Sequence, residues 1–147
     1  MSRQQHRTTI PDSHLDLMTQ LNPAVISTIR HTDGLISSNP VGYVWDGEVI
    51  RISTLKSRMK YKNLLADPRV TLCITSVQDG MHYIELRGRA ELLDDPDRTL
   101  FVEQFTRMAG RPPPDNLDAP GSERVTIVIH IEQVSCPELY GGRFNKT

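Results

Sequence analysis

The chain has 147 residues, with 17 lysines and arginines against 18 aspartates and glutamates, and 37% of its residues are hydrophobic. That length suffices for one domain with a real core, and a formal charge of −1 argues against electrostatic binding of nucleic acid or an acidic membrane. No apolar run approaches membrane-spanning length, and Cys73 and Cys136 form no zinc or disulfide pattern. We therefore expect a soluble, cytoplasmic protein without a nucleic-acid or membrane partner.

The first third of the chain predicts a tail, a helix and two strands. Residues 1–10 are polar and are expected to be flexible, which leaves residues 11–147 as the single folded domain. A helix is predicted to start at residues 11–13 and to end at residues 22–23, and the alternating β-branched segment 24–30 predicts a strand. After a turn at Asp33-Gly34, a second strand is predicted over residues 35–45. Pro40 must occupy a bulge or an edge position there, because it cannot donate to a ladder.

The sequence after residue 45 predicts four more strands and two more helices. Asp46-Gly47 predicts a hairpin turn into a third strand over residues 48–54, and a short helix capped by Ser57 follows. Further strands are predicted over residues 69–76, 82–93 with a break at Gly88, and 123–132.

The helix before the last strand is expected to be capped by the acidic segment 94–97, with Pro96 in its first turn, and to end at Gly110. Its predicted buried stripe consists of Leu100, Phe101, Phe105 and Met108. A proline-rich loop, residues 111–121, then leads to the last strand. Six strands joined mostly by hairpins form an antiparallel sheet, and with so few helices the sheet would best close into a small barrel.

The most distinctive stretch is residues 51–69, where a predicted strand passes through a polar bend into a short helix. It carries five basic residues within twelve positions and no intervening acid: Arg51, Lys56, Arg58, Lys60 and Lys62. A helix N-terminus offers free N–H groups and a partial positive charge, and the hydroxyls of Ser53, Thr54 and Ser57 lie just before it. This combination predicts an anion site, most naturally for a phosphate. The alternative is a solvated, lysine-rich helix face.

No pattern in the chain indicates catalysis by protein side chains alone. It has no nucleophile elbow or phosphate-binding loop, and its histidines show no metal-ligand spacing, so we expect no metal and no catalytic side chain. An enzyme of this kind would depend on a bound cofactor. The segment 39–43 is either a bulged edge strand or a place where backbone and Ser37 or Ser38 approach a flat ligand, with Gly42 permitting close approach.

The order of elements resembles the split β-barrel family related to pyridoxamine 5′-phosphate oxidase, most closely its branch that uses the deazaflavin coenzyme F420. The resemblance covers about residues 15–140. It is carried by Ile26-Ser27-Thr28-Ile29, the following Asp-Gly, P-V-x-Y-x-x-D-G over residues 40–47, and S-x-x-x-x-R-x-K-x-x-N-L-x-x-D-P-R over residues 53–69. The last motif is the most specific.

This resemblance implies a mainly β fold, a six-stranded antiparallel split β-barrel with flanking helices. It also implies a homodimer with cofactor sites at the subunit interface. The cofactor-binding residues that match the family pattern are Ser53, Arg58, Lys60 and Asn63. Thr54, with its hydroxyl before the helix start, and Ser38 and Pro40, in the bulged second strand, complete the candidate cofactor-binding set. Among them, Lys60 is the expected direct phosphate ligand, whereas Asp67-Pro68-Arg69 is expected to be structural.

The resemblance further implies an F420-dependent oxidoreductase that transfers a hydride between the deazaflavin and a small unsaturated organic acceptor. The chain lacks the Arg-Leu-containing end of pyridoxamine phosphate oxidases and the additional basic residues of their second strand, which disfavours vitamin B6 oxidation and FMN. An FMN-dependent oxidoreductase and a non-catalytic F420 carrier stay open as alternatives. Arg87 and Arg89 are either partners for an anionic substrate or polyglutamate tail, or outward-facing strand charges.

Overall fold

The computed structural model describes residues 8–140, so most of the predicted tail, residues 1–10, lies outside the described part. A 3-10 turn (Asp12–His14) leads into helix α1 (Leu15–Thr19), and the other helices are α2 (Met59–Ala66) and α3 (Thr99–Ala109). The strands are β1 (Ala24–Ile29), β2 (Ile36–Val41), β3 (Val44–Trp45), β4 (Ile50–Leu55), β5 (Arg69–Thr75), β6 (Tyr83–Asp94) and β7 (Arg124–Ser135).

All the strands belong to one antiparallel sheet in the order β2-β1-β5-β6-β7-β4-β3. The two edge strands, β2 and β3, are separated in the chain only by Gly42 and Tyr43. The sheet must therefore curl until its edges nearly meet, which confirms the predicted split-barrel architecture. As predicted, Pro40 lies on an edge strand, opposite Val25.

The predicted strand count is wrong, because the described residues form seven strands rather than six. The strand expected over residues 35–45 breaks at Gly42 and Tyr43. Tyr43 leaves the sheet to bury its ring, and its hydroxyl donates to the carbonyl oxygens of Leu17 and Gln20. Satisfying that buried hydroxyl fixes α1 against the gap between the edge strands.

Inward-facing side chains of neighbouring strands form the core. Ile26 lies opposite Leu72, which lies opposite Leu86 across the next strand pair. On the other half of the sheet, Ile52 lies opposite Ile127. All five are fully buried. The alternation of buried and less buried positions is regular in β1, β4 and β5, which present an apolar face to the barrel interior.

The structure of α3 differs from the prediction in two respects, the position of Pro96 and the composition of the buried stripe. Asp95 caps it as expected, since its carboxylate accepts from the N–H groups of Thr99, Leu100 and Phe101. Pro96 is not in the first turn, however, because the helix begins only at Thr99. Gly110 ends the helix with φ +74°, as predicted.

The buried stripe of α3 also differs from the prediction. Leu100 and Phe101 are buried, but Met108 is 64% exposed, and Gln104 takes an inward position instead. Gln104 is drawn inward because its amide oxygen accepts from the N–H of Ser53 on β4. The hydrogen bond to the sheet thus places the polar Gln104, rather than the apolar Met108, on the buried side of α3.

Gly88 interrupts the pairing of β6 with β7, where the register shifts between Arg87 and Gly88. A Cβ added to Gly88 would lie 1.9 Å from the backbone oxygen of His130. The two backbones therefore approach each other more closely than any side chain at this position would allow.

Asn63 fastens α2 to the sheet. Its side chain is fully buried. Its Oδ1 accepts from the N–H of His31 at 3.1 Å and lies 2.8 Å from His31 Nδ1, and its Nδ2 donates to Thr28 Oγ1 at 3.1 Å. Both polar atoms of the amide are used, so Asn63 sets how α2 sits on β1.

We predict that Gly88→Ala destabilises the fold by about 1–3 kcal/mol, because the new methyl group must push two strands apart. Gly80→Ala is the control, since a Cβ at Gly80 meets nothing within 4 Å; it should change stability by less than about 0.5 kcal/mol. Urea unfolding followed by circular dichroism measures both. Equal midpoints for the two variants would contradict the close contact.

We predict that Asn63→Ala lowers the free energy of unfolding by about 1–3 kcal/mol, because the His31 N–H and the Thr28 hydroxyl lose their partner. Lys62→Ala, on the exposed face of the same helix, should stay within about 0.5 kcal/mol of the parent. The same urea titration measures the free energy of unfolding of both variants. An Asn63→Ala variant as stable as the parent would show that α2 is held by other contacts.

Candidate functional site

The junction between β4 and α2 leaves the start of the helix open. The N–H of Arg58 donates to the carbonyl of Leu55 at 3.0 Å, which closes a turn, and the helix begins at Met59. The prediction that Ser57 caps this helix is wrong: Arg58 holds the cap position and no side chain caps the helix. Ser57 lies in the turn, exposed and one residue too early. The first N–H groups of α2 are therefore available to an anion.

Two of the five basic residues of this stretch are neutralised by acids from elsewhere in the chain. Arg51 Nη1 lies 2.5 Å from a carboxylate oxygen of Asp46. Lys56 Nζ lies 3.1 Å from Asp94 and 3.8 Å from Glu123. These two side chains form ordinary ion pairs beside the helix start and are not free to bind a ligand.

The other three basic residues form no direct ion pair within residues 8–140, although Arg58 is near enough to Asp118 for its charge to help lower the pKa of that carboxyl. Within residues 8–140, no carboxylate lies within 4 Å of the side-chain nitrogens of Arg58, Lys60 or Lys62. Arg58 and Lys62 are exposed, whereas Lys60 is half-buried. Burial, and then the neighbouring charge of Arg58, lower the pKa of Lys60. The charge of a bound anion would offset both effects at Lys60.

Arg124, at the start of β7, is a site residue that sequence reasoning missed. Its Nη1 donates to Ser53 Oγ at 3.4 Å, and its guanidinium lies over the Phe101 ring at 3.6 Å. Two hydrogen bonds of 2.6 and 2.8 Å join it to Asp118, and these bonds are the main cause that lowers the pKa of Asp118. Asp118 thereby attaches the proline-rich loop to the edge of the site.

The predicted residues of β4 lie on opposite faces of the strand. Ser53 is half-buried, with its hydroxyl near Arg124. Thr54 is buried on the barrel-interior face that also carries Ile52. Asn63 is buried beneath α2, as described above. Of the predicted residues, Arg58 and Lys60 thus lie at the helix start, whereas Ser53 lies on β4 beside Arg124.

The predicted residues of β2 lie apart from the helix start. Pro40 lines an apolar groove of about 690 Å³ between the β2–β3 link, the segment before β1 and α3. Gln104 connects this groove with β4, because it lines the groove and accepts from the Ser53 N–H at 3.1 Å. Ser38 lies on the outer sheet surface, with its hydroxyl oxygen 2.8 Å from that of Ser27.

Arg87 and Arg89 point outward from β6, and each has an acidic partner. Arg87 Nε lies 2.8 Å from Glu85, and Arg89 Nε lies 3.2 Å from Glu132. Together with Arg69 they border a second cleft, of about 340 Å³, on the outer sheet surface.

The described residues contain neither a metal-binding cluster nor a membrane-spanning helix. Among residues 8–140, no three His, Cys, Asp or Glu side chains are grouped so as to hold a metal ion. In the same range no helix combines the length and the apolar character needed to span a bilayer.

Comparison with known proteins places the chain in a family. A family model described as pyridoxamine 5′-phosphate oxidase matches residues 10–136. No curated protein sequence matches significantly. Among solved structures, an F420 reductase is 29% identical, with a TM-score of 0.74 over 86% of this chain and 98% of that one.

Two more distant structures share the fold. General stress protein 26 from Bacillus anthracis is 20% identical, with a TM-score of 0.64 over 84% of this chain and 89% of its own. A conserved hypothetical protein from Mycobacterium tuberculosis is 21% identical, with a TM-score of 0.67 over 91% of this chain and 87% of its own. The family match spans most of the curled sheet and the whole β4–α2 junction, and the chain belongs to the pyridoxamine 5′-phosphate oxidase family.

Proposed function

We propose that the protein is an oxidoreductase that uses coenzyme F420 and acts on a small unsaturated organic acceptor. The observation that carries this proposal is Lys60, a half-buried ammonium with no acidic partner in residues 8–140, beside an uncapped helix start. The 29% identity to an F420 reductase over most of both chains supports the choice of cofactor.

The residues at the helix start fit the phosphate of such a cofactor. Lys60 and Arg58 supply positive charge, and the free N–H groups of α2 supply donors. Arg124 orients the Ser53 hydroxyl at the edge of the same site. The buried Asn63 and Thr54 contribute indirectly, because they hold α2 and β4 in place.

The chemistry would belong to the cofactor. When bound and reduced, F420 supplies a hydride to the acceptor, and the protein contributes orientation and a partly desolvated site. In our proposal Pro40 and the β2 backbone lie near the ring system. The proton that completes the reduction would come from solvent, so the proposal assigns no acid or base to the chain.

The match to the pyridoxamine 5′-phosphate oxidase family favours FMN as the second candidate. FMN and F420 both carry a ribityl phosphate, so the same helix start would serve either. Titration separates them: F420 fluorescence should change at micromolar protein with little response to FMN. A purified protein that carries FMN absorbance and ignores F420 would reverse the choice. Tight F420 binding with no turnover across an acceptor screen would instead identify a carrier.

We also propose that the protein forms a homodimer whose second copy completes each cofactor site. The outer surface of the β1–β2 pair supports this, since Leu35 and Ile36 are 65% and 74% exposed beside Ser38. Buried under a second copy, this surface would bring Ser38 to the partner's cofactor. Light scattering should give twice the chain mass of 16.6 kDa, and Ile36→Lys should shift the mass to the monomer. A monomeric parent protein at micromolar concentration would refute the dimer.

We predict that Lys60→Ala weakens F420 binding by about 1.5–3 kcal/mol, roughly ten- to hundredfold in Kd, because a charge-assisted bond to the phosphate is lost. Lys62→Ala, two residues further on and exposed, is the matched control and should change Kd less than about twofold. Fluorescence titration measures both. If the two variants bind equally well, the phosphate lies elsewhere.

A further inference from the structure

Three arginines surround a single carboxylate where the proline-rich loop, residues 111–121, meets the rest of the fold. Asp118 is bonded to Arg124 through both of its oxygens, Oδ1 at 2.6 Å and Oδ2 at 2.8 Å. Arg98 Nε lies 3.9 Å from the same Oδ2. The Arg124 hydrogen bonds chiefly lower the pKa of this carboxyl, and the charges of Arg98 and Arg58 lower it further. Three positive charges thus face one negative charge.

Arg98 carries a pair of buried donors that have nothing to bond. Its Nε and Nη2 form one edge of the guanidinium, the edge that can hold both oxygens of a carboxylate. Both nitrogens are buried, and within residues 8–140 neither has a hydrogen-bond partner. Such donors are costly to leave unsatisfied. We therefore expect an acceptor to reach this edge in some state of the protein.

The backbone of Arg98 is fixed at the start of α3. Its φ of +59° lies in the left-handed region, which residues with a side chain rarely adopt. Its N–H donates to the carbonyl of Asp95 at 3.0 Å, and its own carbonyl accepts from the N–H of Val102 at 2.9 Å. A contact between Arg98 and the carboxylate therefore requires movement of the loop rather than of the helix start.

The loop is free enough to make that movement. Within residues 8–140, the side-chain hydrogen bonds that join the loop to the rest of the chain are those of Asp118. A shift of about 1 Å would bring Asp118 Oδ2 from 3.9 Å to an ordinary hydrogen-bond distance of about 2.9 Å from Arg98 Nε. The guanidiniums of Arg124 and Arg98 lie over the same Phe101 ring, 3.6 and 5.1 Å from its centre. The two positions for the carboxylate are thus neighbours.

We propose that Asp118 is a two-position latch, which bonds Arg124 in this structure and Arg98 in a second state, so that the loop stays attached in both. In the second state Arg124, whose Nη1 lies 3.4 Å from Ser53 Oγ on β4, is free to bind an anion. The identity of that anion as the cofactor's phosphate rests on the proposed function. The two positions of Asp118 do not.

Hydrogen exchange of the loop amides, residues 115–119, measures how firmly the loop is attached in the full chain without cofactor. Asp118→Asn removes the charge of the latch and should speed this exchange at least about tenfold. Asp115→Asn makes the same change at an exposed position of the same loop and should stay within about twofold of the parent. Equal exchange in the two variants would overturn the proposal.

Removing one arginine or both tests the second position. Arg124→Gln and Arg98→Gln should each speed loop exchange less than about threefold, because Asp118 keeps one partner, whereas the double variant should match Asp118→Asn. If Arg124→Gln alone released the loop as fully as Asp118→Asn, Arg98 would not be a second position and the proposal would fail.

The unmodified chain provides a test that does not depend on the folding of a variant. NMR of ¹⁵N-labelled protein follows the Nε–H signals of Arg98 and Arg124 during titration with inorganic phosphate and, separately, with F420. Both signals should shift together, because Arg124 exchanges Asp118 for the anion while Arg98 gains Asp118. A shift at Arg124 without one at Arg98, or no shift at Arg124 with either anion, would overturn the latch. If phosphate shifts both signals but F420 does not bind, only the proposed function fails.

Discussion

The structure depends on a two-residue link between strands at opposite edges of the sheet. Gly42 and Tyr43 join β2 to β3, so the sheet cannot stay open, and its curvature encloses the core. Closure is incomplete at the link, and two side chains occupy the gap: Tyr43 donates to α1, and Gln104 accepts from Ser53 on β4. Core closure, the position of α3 and the apolar groove all follow from this one connection.

The distribution of acidic side chains around the basic stretch, residues 51–69, determines which of its positive charges remain unpaired. Asp46 and Asp94 neutralise Arg51 and Lys56, and Asp118 pairs with Arg124. Among residues 8–140, Lys60 has no acidic ion-pair partner. The unpaired positive charge of this stretch is thereby concentrated on α2, which explains how a protein of nearly zero net charge can have a local basic surface.

The elements that could be predicted from the sequence are those with a local cause. Alternating β-branched residues marked the strands, Asp95 marked the start of α3, and the positive φ required after α3 marked Gly110. The basic helix start was also visible, because its charges are adjacent in the chain. The resemblance to the split-barrel family rested on the same contiguous segment, and the family match includes it.

Most of the features that could not be predicted depend on residues distant in sequence, whereas the Ser57 cap failed for a local reason. The break at Tyr43 requires the carbonyl of Leu17, and the inward position of Gln104 requires the Ser53 N–H, neither of which a local pattern contains. Arg124 carries no local signal, because its contact with β4 is made to Ser53, which is distant in sequence. Ser57 resembled a cap, but the turn closed by Leu55 places the cap one residue later.

The central claim is that the start of α2, with Lys60, holds the phosphate of the cofactor. A crystal structure of the protein with F420 tests this most directly. The account predicts the phosphate within hydrogen-bond distance of Lys60 Nζ and of the first N–H groups of α2. A phosphate bound instead in the outer cleft beside Arg69, Arg87 and Arg89 would contradict it.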